Sequence, residues 1–198
     1  ASTPKKRTAL GRFKHEGAWV TVDDDNRVAV YMGDDERFDY IYKFVCAGKF
    51  TPRNLKANRD LLDSGTLYVA KFNADGSGQW LPLVHGQNGL TAANGFADQG
   101  EVVIKARMAG DVLGATKMDR PEWGAVHPHT REVYMTLTNN SARTAAQVDA
   151  ANPRAANVHG HIIRWREAGN TVVATGFEWD LFVQAGDSLD ANPARQGN

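Results

Sequence analysis

The sequence lacks most of the features that fix a compartment or a macromolecular partner. Its single cysteine, Cys46, cannot form a disulfide within the chain, so the cysteine count leaves the redox compartment open. No apolar run approaches the roughly 18 residues of a membrane-spanning helix. Lys and Arg number 23, as do Asp and Glu, and the basic residues are scattered. We therefore expect no membrane span and no nucleic-acid partner.

The common motifs of covalent and nucleotide chemistry are also missing. The chain has no GxSxG elbow, no Walker loop and no CxxC pair, which leaves metal-assisted chemistry as the main enzymatic option. What it has in quantity is glycine (19 residues) and tryptophan (5 residues), with 42% apolar residues overall. This composition favours one β-rich domain with many tight turns.

Short β-prone runs separated by turn signals dominate the chain. The runs 19–22 and 28–32 flank the turn "DDDNR", and the run 66–84 holds two strands around "NADGSG". Apolar residues recur at helical spacing over 99–113, which predicts one helix there. Strand patterns resume over 122–186. The fold class that these patterns predict is all-β with one inserted helix.

Two parts of the chain resemble each other. Residues 15–35 and 121–140 each begin near a Glu, continue through a β run, a polar turn and a run with Tyr-Met at its centre, and end in a polar pair. Repeated short antiparallel strands with this rhythm are typical of propeller blades. We therefore predict part of one β-propeller domain, with about two four-stranded antiparallel blades. The predicted parts are a blade-like 10–84, a loop and helix insert 85–121, a blade-like 122–186 and a polar tail 187–198.

The repeat singles out Glu16 and Glu122, which open the first strand of each predicted blade. First strands line the channel of a propeller, so these two carboxylates are expected to converge at one end of it. Two carboxylates that meet in a cavity share a proton or hold a cation. We predict both as metal ligands. His15 beside Glu16 faces the other way and is expected to be a loop histidine or one bonded to backbone.

Arg120, Pro121 and Glu122 stand in direct succession in "KMDRPEWG". Pro121 fixes its own φ and is expected to push Arg120 into extended backbone, so that the side chains of 120 and 122 point the same way. A guanidinium fork suits phosphate oxygens and a carboxylate suits a hard cation. Spacing alone also allows an ordinary surface Arg–Glu pair of little energetic worth.

Other candidates have plainer interpretations. Asp34 and Asp35 end a predicted inner strand, but Asp at such a place commonly bonds its own turn. The stretch 152–162 clusters Asn, Arg and His and is expected to be a well-bonded loop. The acidic run "DDDNR" predicts a hairpin turn rather than a calcium loop, because it lacks the spaced Gly and distal Glu. Cys46 is predicted to be a small buried residue.

The segments "GRFKHEGAW", "GDDERFDYIYKFV", "KMDRPEWGAVHP" and "NPRAANVHGHIIRW" resemble the PhoX-type alkaline phosphatases over nearly the whole chain. Members of that family are six-bladed β-propellers, exported to the periplasm or beyond, that hydrolyse phosphomonoesters with iron and calcium ions. The resemblance implies Glu16 and Glu122 as metal ligands and Arg120 as the phosphate-binding residue. It also implies Ca²⁺ and Fe³⁺ as cofactors and small phosphate esters as substrates.

The same resemblance implies an incomplete site. The chain is similar to the middle third of a family member, whose upstream part supplies an Asp and a Cys to iron and whose later blades supply further calcium ligands. Cys46 is in the wrong place to be that Cys. We therefore expect the isolated chain to be inactive or incomplete, with the remaining blades or a second copy of itself as its partner.

Three functions remain open from the sequence. The first is a metal-dependent phosphomonoester hydrolase in the full-length parent. The second is a non-catalytic propeller segment that self-associates through exposed sheet edges. The third is a calcium-dependent propeller hydrolase of another class, such as a lactonase. Arg120 favours an anionic substrate and therefore the first.

Overall fold

The computed structural model describes residues 3–198, and these residues are mainly β. Three short α-helices are present among them: α1 Leu55–Asn58, α2 Gln99–Ile104 and α3 Ala106–Leu113. In the part of the chain described, no helix has the length and apolar character needed to cross a membrane. The nine strands of residues 3–198 are β1 His15–Val22, β2 Arg27–Asp34, β3 Ile41–Lys49, β4 Gly65–Phe72, β5 Ser77–Pro82, β6 Pro121–Val126, β7 Val133–Leu137, β8 His161–Glu167 and β9 Gly176–Gln184.

All nine strands belong to one antiparallel sheet in the order β1-β2-β3-β4-β5-β9-β8-β7-β6. The first group, β1 to β5, meets the second group, β6 to β9, where β5 pairs with β9. The two end strands of the sheet also come close together, since the rings of Trp19 on β1 and Trp123 on β6 are 5.8 Å apart. The sheet is therefore curled until it is nearly closed.

The all-β class is confirmed, with three differences in detail. The first group contains five strands rather than four, and both groups share one sheet. The predicted helix over 99–113 is two helices, because the backbone of Lys105 leaves the helical region (φ −101°, ψ 37°). Buried residues lie on both sides of this break, at Val102, Ala106 and Ala109. Apolar spacing therefore continues across Lys105 and gives no sign of the kink.

Strand β2 divides two hydrophobic cores. Alternate side chains of a strand point to opposite faces, and here both faces are buried. Val30 and Met32 lie in the core that the helices cover, whereas Tyr31 lies in an aromatic core between the two groups. In that second core Tyr31 packs edge-on against Trp165 with ring centroids 5.6 Å apart. Such aromatic pairs add about 0.5–1.5 kcal/mol beyond the area they bury.

The junction between β5 and β9 depends on a residue without a side chain. Gly78 of β5 is opposite Phe177 of β9. A Cβ at position 78 would overlap the Phe177 ring. Glycine at this one position therefore lets the two groups approach closely enough to form a single sheet.

A buried ion pair crosses from the first group to the second. Nζ of Lys43 on β3 lies 3.0 Å from Oε2 of Glu167 on β8, and both side chains are almost fully buried. Tyr31 donates a hydrogen bond of 2.7 Å to Oε1 of Glu167, and Trp80 donates one of 3.0 Å. Burial lowers the pKa of Lys43 to about 8 and raises the pKa of Glu167. The hydrogen bonds offset the cost of burying both charges.

We predict that Lys43→Met destabilises the protein by roughly 3–5 kcal/mol at pH 7, because the carboxylate of Glu167 loses its buried counter-ion. Urea unfolding followed by fluorescence measures the change. Lys71→Met is the matched control, since Lys71 is exposed on the next strand, and it should cost less than about 0.5 kcal/mol. Equal losses for the two variants would contradict the prediction, whereas adding Glu167→Gln to Lys43→Met should recover stability.

Candidate functional site

The two predicted carboxylates lie on matching irregularities of the sheet. The register between β1 and β2 shifts between His15 and Ala18, which brackets Glu16. The register between β6 and β7 shifts between Pro121 and Gly124, which brackets Glu122. Bulges of this kind re-aim side chains and are frequent beside active sites. The shared position of the two bulges supports the repeat read from the sequence.

Arg120 is the centre of a small ionic cluster. Its Nη2 lies 2.9 Å from Oε1 of Glu122, so the structure brings together the two residues that flank Pro121. The same nitrogen lies 2.9 Å from Oδ1 and 3.0 Å from Oδ2 of Asp35, which follows β2 in the first group. Thr138 donates a further hydrogen bond of 2.9 Å to Oε1 of Glu122. The cluster therefore joins the two groups at the start of β6.

The backbone of Arg120 is not extended, so that expectation was wrong. Its φ is 52°, in the left-handed region that residues other than glycine rarely occupy. Strain of this kind costs roughly 1–3 kcal/mol and persists only where the surroundings fix it. Here the preceding residue, Asp119, is completely buried and its Oδ1 accepts a 2.6 Å bond from Nε of Arg143. This tertiary ion pair overrides the local preference that Pro121 imposes.

A hydrogen-bonded chain continues from Asp119 into the loop before β8. Nδ2 of Asn157 lies 3.1 Å from Oδ2 of Asp119 and 3.3 Å from Nδ1 of His161. Nε2 of His161 lies 2.8 Å from the carbonyl oxygen of Ala151. Burial lowers the pKa of His161, and a neutral ring with its proton on Nε2 satisfies both contacts. The stretch 152–162 therefore supports the backbone beneath Arg120 as a well-bonded loop.

Glu16 takes no part in the ion pairs of this cluster. Glu16 is exposed, and in the described part of the chain it forms no ion pair with Arg120. Nε2 of His15 lies 3.0 Å from the carbonyl oxygen of Gly11, as expected for a backbone-bonded histidine. Cys46 is buried, and burial raises the pKa of its thiol to about 11. Among residues 3–198, no three His, Cys, Asp or Glu side chains are grouped closely enough to hold a metal.

Asp34, the last residue of β2, and Asp35, which follows it, form different contacts. Asp34 is fully buried and accepts two bonds of 2.6 Å from Nε and Nη2 of Arg107 on α3. The backbone N–H of Lys14 also donates to Asp34, at 3.0 Å. Asp35 instead reaches across to Arg120. The expectation that these carboxylates bond their own turn is wrong, because Asp34 is engaged by Lys14 and Arg107 and Asp35 by Arg120.

Arg107 also influences Asp39, whose carboxylate lies 3.5 Å from its Nε. Burial raises the pKa of Asp39 to about 6, the negative charge of Asp34 adds to this effect, and Arg107 opposes it. The ionised form of Asp39 is therefore less stable in the folded protein than in water.

Several members of the site carried little sequence signal. Thr138 and Arg143 lie 16 and 24 residues from their partners Glu122 and Asp119, and no local pattern connects them. Asp119 offered one clue, because it directly precedes Arg120 in the run "MDRPEW".

The fold and the site define a curled antiparallel β segment with a charged cluster where its second group begins. The family model described as alkaline phosphatase PhoX matches residues 1–198. The chain therefore belongs to the PhoX alkaline phosphatase family. A search of curated proteins gives no match.

A solved structure is similar over the whole chain. It is described as Pseudomonas fluorescens PhoX in complex with vanadate, a transition state analogue. The TM-score is 0.94 at 53% sequence identity, and the match covers 100% of this chain but 36% of that one. The family resemblance and the partial propeller read from the sequence are thereby confirmed.

We predict that Asp39→Asn stabilises the protein by about 1–2 kcal/mol at pH 7. The raised pKa means that the folded state binds this proton more tightly than the unfolded state, so stability is greatest below the ordinary value of 3.8 and falls as pH rises through about 6. The gain from Asp39→Asn should therefore vanish near pH 4. Urea unfolding at several pH values tests this, with Asp25→Asn in the exposed hairpin turn as the control. A gain independent of pH would contradict the assignment.

Proposed function

We propose that this chain is one segment of a metal-dependent phosphomonoester hydrolase, in which Arg120 binds the phosphoryl group. The observation that carries the proposal is the guanidinium of Arg120, held between Asp35 and Glu122 with 28% of its side chain exposed. A guanidinium group that is already held in place loses little conformational freedom when it binds a tetrahedral anion. Family membership and the relative's complex with vanadate support the same chemistry.

The role we assign to Arg120 is electrostatic. The ion pairs described for it engage Nη2, and its Nε and Nη1 remain to donate to phosphoryl oxygens. A preorganised donor of this kind stabilises the charge that develops on the phosphoryl oxygens during transfer. The strained backbone at Arg120 fits a residue whose position is fixed for function rather than for stability.

We further propose Glu16 and Glu122 as ligands of Ca²⁺ or Fe³⁺. The donor set fits such ions: hard cations take carboxylate oxygens, and the contacts described for Glu122 engage Oε1 and leave Oε2 for a ligand. Metal ions bound here would polarise the phosphoryl oxygens.

The remaining ligands belong, in this proposal, to other parts of a longer protein. This chain spans 36% of the relative that it matches, so we expect little or no turnover from 198 residues alone. Small phosphate esters are the proposed substrates. On the family likeness, we propose the periplasm or the cell exterior as the place of action.

A non-catalytic, self-associating segment is the second candidate. The observation that favours it is exposed apolar surface on the two end strands, where Val20 of β1 is 58% exposed and Trp123 of β6 is 64% exposed. Such a surface favours association. Phosphatase assay of this chain with calcium and iron, beside the full-length protein, separates the two candidates, because only the first requires turnover by the full-length protein.

We predict that Arg120→Ala in the full-length protein lowers kcat/KM for p-nitrophenyl phosphate by about 10²–10³-fold, the usual loss when one preorganised donor is removed. Arg166→Ala is the matched control, because Arg166 is an exposed arginine paired with Glu132 on the outer surface. Thermal unfolding checks that both variants fold. Unchanged turnover in a folded Arg120→Ala variant would refute the assignment of Arg120.

We predict that Glu16→Gln and Glu122→Gln each lower the calcium or iron that co-purifies with the full-length protein, because an amide binds a hard cation less strongly than a carboxylate. Elemental analysis of the purified protein measures the loss. Glu178→Gln, on the exposed side of β9, should retain the full metal content. Equal metal content in all of these variants would remove the two glutamates from the metal site.

A further inference from the structure

Asp35 is placed differently from the other acidic residues near the end of β2. Its carboxylate meets Nη2 of Arg120, 85 residues further along the chain, from the opposite group of strands. Oδ1 is buried and has no hydrogen-bond partner, although it lies 2.9 Å from the same nitrogen. Both carboxylate oxygens of Asp35 therefore lie within 3.0 Å of one guanidinium nitrogen, in a contact between distant parts of the chain.

The backbone around Asp35 is held in place by several contacts. The preceding residue, Asp34, is clamped by Arg107 through two bonds of 2.6 Å. The backbone N–H of Asp35 itself donates to the carbonyl oxygen of Lys14 at 3.0 Å. Gly33 lies against Pro121 so closely that a Cβ there would be 2.5 Å from the carbonyl oxygen of Pro121. Asp35 is therefore held at a fixed distance from the start of β6.

The second carboxylate on Arg120 cannot provide the same support independently. Glu122 lies on β6, two residues after Arg120, and its Oε1 also accepts a bond from Thr138. A shift of β6 would carry Arg120 and Glu122 together. The ion pair with Asp35 fixes the position of the Arg120 guanidinium relative to the first group of strands, which contains Glu16.

We propose that Asp35 is a positioning residue for Arg120. It holds Nη2 and so leaves Nε and Nη1 in one orientation for the phosphoryl group of a phosphomonoester. This role rests on the proposed function of Arg120. It assigns to Asp35 no contact with substrate and no metal.

The test is a double-mutant cycle in the full-length protein with Asp35→Asn, Arg120→Ala and the double variant. Asn keeps the shape of Asp35 but removes the charge that holds the guanidinium. We expect Asp35→Asn to raise KM for p-nitrophenyl phosphate and the inhibition constant of orthophosphate about 10-fold each, with a smaller effect on kcat. In the Arg120→Ala background it should change neither value, because the residue that it positions is gone.

Asp25→Asn, at the exposed turn between β1 and β2, is the control and should leave both constants unchanged. Equal effects of Asp35→Asn in both backgrounds, or none in either, would overturn the positioning role. Loss of metal from the Asp35→Asn variant would also overturn it, because Asp35 would then be a ligand. Normal turnover of Arg120→Ala alone would instead refute the proposed function, which keeps the two failures distinct.

Discussion

The pairing of β5 with β9 is the constraint on which the candidate site depends. This pairing joins the two groups of strands. It forms only because Gly78 has no side chain, which leaves room for the ring of Phe177. Once the groups share a sheet, the aromatic core and the Lys43–Glu167 ion pair fill the space between them. The opposite ends of the sheet, β1 and β6, are then brought face to face. Asp35 and Arg120 meet there, although nothing local connects them.

Much of the fold follows from local sequence, whereas the geometry of the site does not. Hairpin turns such as "NADGSG" and the repeated Tyr-Met runs predicted strands that the structure contains. The repeat paired Glu16 with Glu122, and the structure places both at matching bulges. These signals are short-range or periodic. The left-handed φ of Arg120 depends on the buried Asp119–Arg143 pair, and this pair depends on the tertiary fold. The rule for residues before proline therefore predicted the wrong backbone conformation at Arg120. The two-residue spacing correctly predicted that Arg120 and Glu122 lie side by side.

The two groups are similar in their hairpins but differ in the polar pairs that end them. The first group ends in Asp34 and Asp35, and the second ends in Asn139 and Asn140. Asp34 forms an ion pair with α3 and Asp35 with Arg120, while Asn140 is buried beside the loop at Asn157. The repeat thus supplies the same scaffold twice, and one charged side chain of the first copy, Asp35, pairs with Arg120 at the start of the second.

The formal charges of the cluster bear on its chemistry. Arg120 contributes one positive charge, whereas Asp35 and Glu122 contribute one negative charge each, within about 3 Å of the same nitrogen. The cluster alone is therefore anionic, and a phosphate ester would meet net repulsion from it. Glu16, if it joined the cluster, would increase that repulsion. In the proposed function, an anionic substrate binds here only when cations add positive charge beside the carboxylates, so the phosphate-binding role proposed for Arg120 depends on the metal binding proposed for the glutamates.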